Sequence, residues 1–274
     1  MPLLTSRGCP YGCKFCVVPA TNQRLWRFRS AKNIVDEMQY WVEKLGVSDF
    51  HWEDLNPTIR KDRMIEMSKL ILERKLKVTF KFSAGTKVET FDAETLEWLA
   101  KAGCVYVSIS PESGSARVLK LMDKPFDHKH GVAMIKKMNE LGIYSQACFV
   151  LGFPGETDED LKLTWNYLKE LTNAGLDETS LFIDSPVPGA EIASKIPGKP
   201  EDFADITFTP MFRLDFKKLE KFRKDLYYHF VYWKLKRNPQ KIAKSVFNVL
   251  TQKFDIKSEM TLWRVFKTNY VFKE

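Results

Sequence analysis

The stretch Thr5-Ser6-Arg7-Gly8-Cys9-Pro10-Tyr11-Gly12-Cys13-Lys14-Phe15-Cys16 sets three thiols within eight residues near the start of the chain. Gly8, Pro10 and Gly12 interrupt any regular element, so the thiols ride on an irregular, wrapping loop. No fourth cysteine stands near them in sequence. A structural zinc or a fully ligated iron–sulfur cluster wants four protein ligands. Three thiolates on one loop suit instead a cubane cluster with one iron left open, and an open iron is a place for chemistry.

Other uses of cysteine fit less well. Five cysteines, counting Cys104 and Cys148, is an odd number in a chain of 274 residues, far longer than a disulfide scaffold. His51, His128, His130 and His229 lie at no zinc-finger spacing from the loop. Cys104 and Cys148 fall in strand-like segments and read as small core residues.

Composition bounds the rest. At 44% hydrophobic and 28% charged residues the chain is globular. It has no run of about 18 apolar residues to span a membrane, and no signal-peptide core follows Met1. Oxygen-sensitive thiolates without a targeting segment point to a reducing cytoplasm. Charge is unevenly placed: residues 217–274 hold 15 Lys and Arg against 5 Asp and Glu, whereas residues 1–216 hold 28 against 30. The asymmetry suggests an appendage with its own contacts.

Between the loop and about residue 184, strand-like and helix-like segments alternate. Pro2–Thr5 leads into the loop, and Ala31–Leu45 has helical apolar spacing. Asp49–Trp52 reads as a strand, 60–74 as a helix, Val78–Phe82 as a strand, and Ala93–Ala102 as a helix stopped by Gly103. Val105–Ile109 is a strand, with helix through Leu141. Tyr144–Leu151, helical Glu159–Leu171 and Glu178–Ile183 follow. Six strands alternating with helices predict an α/β fold with a parallel sheet and right-handed crossovers.

In such a fold the carboxyl ends of the strands share one face. There stand the cysteine loop, then Glu53-Asp54-Leu55-Asn56, then Ser108-Ile109-Ser110-Pro111-Glu112-Ser113-Gly114-Ser115. Leu151-Gly152-Phe153-Pro154-Gly155-Glu156-Thr157 and Asp184-Ser185-Pro186-Val187-Pro188-Gly189 complete the set. Carboxylates, hydroxyls and close-approach glycines at one end outline a cofactor pocket.

These residues resemble the radical S-adenosylmethionine (SAM) superfamily across nearly the whole chain. The spacing Cys9-x3-Cys13-x2-Cys16, with aromatic Phe15, is similar to its signature. Glu112-Ser113-Gly114-Ser115, Leu151–Thr157 and Pro186-x-Pro188-Gly189 resemble the branch that usually carries an N-terminal cobalamin-binding domain. The resemblance implies a partial (β/α)6 barrel over residues 1–200, with a basic, aromatic helical extension over 201–274. It implies that Cys9, Cys13 and Cys16 hold three irons of a [4Fe–4S] cluster, the fourth chelating the amino and carboxylate groups of SAM. Phe15 would meet the adenine through its backbone. Glu53 or Asp54 would accept from the methionine ammonium. Ser108, Ser110, Glu112 and Ser113 would meet the ribose or the methionine carboxylate. Gly152 and Gly155 would let backbone approach the adenine, with Val150 or Leu151 packed on it.

The branch's cobalamin domain is absent from these residues, so cobalamin would come from a missing or separate domain, or go unused. The lack of cysteines after Cys148 excludes an auxiliary cluster of the peptide-modifying kind. An electron donor such as flavodoxin or ferredoxin is implied. The tail mixes Tyr, Phe and Trp with Lys in helical spacing, broken at Arg237-Asn238-Pro239. It reads as helices closing the open side of the barrel, the other reading being peripheral contact with an anionic membrane; nucleic acid fits the aromatics less well. Three functions follow: a radical enzyme of transferase type acting on a lipid, cofactor precursor or natural product by methylation, cyclisation or coupling; a radical RNA-modifying methylthiotransferase; or a non-catalytic iron–sulfur protein.

Overall fold

A computed structural model describes residues 1–185, 187–195 and 209–271. Pro186 and the expected 200/201 boundary lie outside the described residues. Among the described residues there are eight strands: β1 (Pro2–Leu3), β2 (Ser6–Gly8), β3 (Trp26–Phe28), β4 (Asp49–Trp52), β5 (Thr79–Thr86), β6 (Cys104–Glu112), β7 (Tyr144–Leu151) and β8 (Glu178–Ile183). Six form a parallel sheet in the order β1-β4-β5-β6-β7-β8. The antiparallel pair β2–β3 stands apart and flanks the cysteine loop. Helices α1 (Val18–Asn22), α2 (Ala31–Leu45), α3 (Lys61–Glu73), α4 (Ala93–Lys101), α5 (Ala116–Leu121), α6 (His128–Glu140) and α7 (Asp158–Asn173) fill the crossovers. The architecture is a six-stranded partial barrel.

Local chemistry explains the boundaries. Ser30 caps α2 by accepting from Asn33 N, and Gly46 ends it with φ +66°. Asp92 caps α4 in the same way, and Thr157 with Asp160 forms a reciprocal capping box on α7. The strands then sort their side chains by alternation. One face of the sheet turns Trp52, Phe80, Phe82, Val107, Phe149 and Leu151 toward the helices, where they form the main core. The other face carries Tyr106, Ser108, Gln146, Glu178 and Ser180, joined across the barrel interior by hydrogen bonds. The apolar residues thus lie on the helix side of the sheet and the polar ones on its inner side.

Cys104 is buried core, as expected. Cys148 departs from that reading: it faces the lumen, 3.6 Å from Ser108 Oγ.

The tail forms α8 (Phe216–Arg237), α9 (Pro239–Thr251) and α10 (Lys257–Phe266). Leu219, Leu226, Phe230 and Trp233 bury one face of α8 against the barrel edge. Tyr227 Oη accepts from Leu181 N at 2.9 Å on β8, and Ser258 N donates to Glu178 at 2.8 Å. These helices pack on the β8 side of the sheet. Not all of the lysines sit in water: Lys241 pairs with Asp177 at 2.8 Å and Lys234 donates to the Asp177 carbonyl. Among the described residues no helix is long and apolar enough to cross a membrane.

Candidate cofactor site

The cysteine loop starts where β1 ends, and a buried brace fixes that point. Asp54 is fully buried. Its carboxylate accepts from Thr5 N at 3.0 Å, from Thr5 Oγ1 at 2.8 Å and from Ser6 Oγ. Arg63 of α3 donates to Thr5 O at 3.0 Å, to Arg29 O at 3.2 Å and to Pro57 O. Burial draws the Arg63 guanidinium down to about 10, and the Asp54 charge opposes this. Gly8 then turns the chain with φ +84°; a Cβ there would sit 2.0 Å from Leu25 O, so only glycine serves.

Farther on, Lys14 N donates to Met122 O at 3.0 Å and Lys14 O accepts from Ile192 N at 3.3 Å. The loop is thus pinned to the end of α5 and to the segment after β8. Phe15 packs on a second apolar cluster of Val118, Leu119, Met122, Val150, Phe153 and Ile192. Phe15 and Val150 thus meet the same apolar cluster.

Cys9, Cys13 and Cys16 are free thiols, each partly exposed. Burial raises Cys9, and raises Cys13 to about 11, while Lys124 and Lys87 pull both back toward ionisation. Thiols ionise when they take metal, so two ammonium groups stand where a thiolate set would need them. Among the described residues no three Cys, His, Asp or Glu converge on a single ion. The donor set of three thiols on one loop is that of a four-iron cube held one ligand to an iron.

The remaining expected residues divide in two. Ser110 and Glu112 line the lumen mouth; Glu112, held at φ +62°, forms a buried ion pair with Lys124. Ser108 lies deeper, donating to Gln146 Oε1 at 2.8 Å. Glu53 is exposed beyond β4, with its carboxylate free of hydrogen bonds and ion pairs among the described residues. Three others serve the protein itself. Asp54 belongs to the brace. Ser113 accepts from Ser115 N at 3.1 Å and contacts Thr164 at 3.3 Å, facing α7. Gly152 has φ +77°, and its Cβ position is crowded by Leu219 and Arg213 of the tail, at 2.4 and 2.7 Å. Its closeness admits α8. Gly155 has φ +88° and open space apart from Leu121 at 3.5 Å.

Sequence reasoning missed Arg63, Lys124 and Arg213. Arg63 shares a helix face with buried Met64, Met67 and Ile71, an unusual neighbourhood that was the available signal. Arg213 donates to Gly152 O at 2.8 Å and to Asp184 O at 2.5 Å, latching two strand ends to the tail. Nothing local in the sequence marks it. Beside it, burial lifts Asp184 to about 7, and lifts Glu156 to about 7. One carboxyl oxygen of each is buried without a partner among the described residues.

Residues 3–168 match the family described as the radical SAM superfamily. The chain belongs to that superfamily. It is 32% identical over 197 residues to the cytidylyl-2-hydroxyethylphosphonate methyltransferase of Streptomyces wedmorensis, covering 69% of this chain and 36% of that protein. An uncharacterized methyltransferase of Pyrococcus horikoshii is 27% identical over 190 residues, covering 69% and 40%. The chain therefore spans well under half the length of these relatives. Among solved structures, the radical SAM methyltransferase TsrM from Kitasatospora setae, with cobalamin and a [4Fe–4S] cluster bound, superposes with a TM-score of 0.60 at 21% identity. The match covers 71% of this chain and 36% of that one, and it bears out the partial-barrel fold.

Proposed function

We propose that these residues are the catalytic barrel of a radical SAM enzyme of transferase type, acting on a small molecule in the lumen. One observation carries the reading. A loop with three free thiols opens onto a barrel mouth whose uncommitted polar groups, Glu53 and Ser110 beside the Glu112–Lys124 pair, could meet a zwitterionic cofactor. Electron transfer alone would need no such lining.

Cys9, Cys13 and Cys16 would hold three irons of a [4Fe–4S] cluster. When bound, that cluster supplies the electron that cleaves SAM to a 5′-deoxyadenosyl radical. The chain's own part is binding and orientation. Glu53 accepts from the methionine ammonium in a charge-assisted bond. Ser110 and the Glu112–Lys124 pair face the ribose and carboxylate. Phe15 and Val150 give the adenine an apolar seat, and Gly155 leaves backbone room nearby. The tail packs against the β8 side of the barrel. Methyl transfer is favoured over cyclisation by the names of the relatives, with cobalamin supplied by a domain or protein outside these residues and electrons by a flavodoxin or ferredoxin.

The test is anaerobic reconstitution with iron and sulfide, then dithionite and SAM. Visible absorption of the cluster and release of 5′-deoxyadenosine are expected, both lost in Cys13→Ala. A protein that takes up four irons yet neither binds nor cleaves SAM would sink the proposal.

A further inference from the structure

The tail helices are apolar on the outside as well as the inside. α8 turns Leu226, Phe230 and Trp233 into the core. On its opposite face stand Tyr228, Val231, Tyr232 and Leu235, at i, i+3, i+4 and i+7, each more than half exposed. α9 repeats the spacing with exposed Ala243, Val246, Phe247 and Leu250, and α10 exposes Leu262 and Val265. Val231, Val246, Leu250 and Leu262 border one groove between the three helices, so the stripes meet on one side of the molecule. Single exposed apolar residues need no explanation, but a stripe on each of three adjoining helices marks a contact surface.

The exposed charges around the stripes have one sign. Between residues 216 and 267 ten exposed side chains are Lys or Arg, and the acidic one is Asp225. Lys236, Lys253 and Arg264 form no ion pair among the described residues. The other acids are turned inward or already paired. Glu220 pairs with Lys224 at 3.1 Å, and Asp255 pairs with Lys244 at 2.9 Å. Glu259 is buried, accepting from Asn248 and Asp255 N, and Asp177 and Glu178 of the barrel are buried at the inner end of the groove. A second copy of the chain would set these cations against their own kind. Nucleic acid would match the cations and leave the aliphatic stripes in water. Apolar stripes bordered by Lys and Arg fit helices lying in the headgroup layer of a bilayer, where tyrosines also favour the boundary.

We infer that the outer face of α8–α10 docks on an anionic lipid surface, with the stripes in the headgroup layer and Lys236, Lys253 and Arg264 on lipid phosphates. The inner faces meanwhile hold the barrel, so docking needs no rearrangement of the core. This surface stands independently of the radical-enzyme reading.

Sedimentation of the reconstituted 274-residue protein with vesicles tests it, one set of phosphatidylcholine alone and one of equal parts phosphatidylcholine and phosphatidylglycerol. Binding to the mixed vesicles is expected to be tighter by about tenfold or more, and to weaken as salt is raised. Joint replacement of Lys236, Lys253 and Arg264 by Gln should weaken it about a hundredfold. Phe247→Ser with Leu250→Ser should weaken it about tenfold even at low salt, with both variants checked for an unaltered melting temperature. No binding, equal binding to the two vesicle sets, or indifference to both variants would overturn the inference. A concentration-dependent dimer lost in Phe247→Ser with Leu250→Ser would overturn it in favour of a second copy, and binding of polyglutamate in place of vesicles in favour of an acidic protein. 5′-Deoxyadenosine release in the same preparation separates the two readings. Vesicle binding without SAM cleavage leaves the surface and removes the enzyme; SAM cleavage without vesicle binding does the reverse.

Discussion

Replacing Asp54 by Asn separates a structural carboxylate from a cofactor ligand. Three donors converge on Asp54: Thr5 N, Thr5 Oγ1 and Ser6 Oγ. An amide offers one acceptor oxygen in place of two and carries no charge. Hydrogen bonds to a charged group contribute about 1.5–3 kcal/mol each, against about 1 kcal/mol for neutral ones. Three such bonds, about 4.5–9 kcal/mol together, replaced by three neutral ones at about 1 kcal/mol each therefore cost about 2–6 kcal/mol. Arg63, buried in the same cluster, also loses the opposing charge of Asp54, which adds to that cost. For a domain of this size each kcal/mol moves the melting temperature by about 2–4 °C, so a fall of roughly 10 °C is expected. Circular dichroism melts of the wild type, Asp54→Asn and Glu53→Gln give the measurement, with SAM binding by calorimetry after reconstitution. Glu53→Gln should melt within about 2 °C of wild type and bind SAM about tenfold more weakly, the loss of one charge-assisted bond. An Asp54→Asn protein that melts like wild type but has lost SAM would refute the reasoning and return the ammonium contact to Asp54.

Gly152→Ala places a methyl group against Leu219 and Arg213 at a positive φ, and should cost about 1–3 kcal/mol in urea unfolding; a neutral outcome would mean that the tail yields there. Leu226, fully buried on α8, should cost about 2–5 kcal/mol as Ala, and an unchanged unfolding midpoint would show that α8 is not part of the cooperative unit. Burial raises Asp184 to about 7 from its usual 3.8. The folded state then holds a proton that the unfolded state has lost, so stability falls as pH rises from about 4 to 7 and levels off above. Asp184→Asn should melt higher than wild type at pH 8, the gain shrinking toward pH 4; a gain constant across pH would refute the shift.

Much of the fold was legible because its signals are local. The bounds of α2, β4, β7 and β8 follow from apolar periodicity and capping residues, which act within a few positions. Elements set by distant partners were not legible. β2 and β3 are three residues each, and their pairing across the cysteine loop has no periodicity to announce it. β5 and β6 extend past their apolar stretches to Thr86 and Glu112, because neighbouring strands supply hydrogen bonds to polar residues there. α10 is amphipathic but follows a polar break, and it is anchored by Lys257 and Ser258 reaching back to β5, β7 and β8.

The candidate site shows the same division. The cysteine spacing is a property of consecutive residues, since one short loop must reach three irons, and it marks the superfamily from the sequence alone. Which carboxylate of Glu53 and Asp54 is free is another matter. Adjacent in sequence, they differ because one points into a cluster with Thr5, Ser6 and Arg63, the last nine residues farther on and the others nearly fifty residues back. Likewise Gly152 is a glycine for the sake of α8, more than sixty residues away, and Lys257 faces the lumen only because the tail folds back beneath it. Chemistry carried by neighbours in the chain was determined by the sequence; the occupation of each donor and acceptor depended on long-range contacts, and only the tertiary structure decided it.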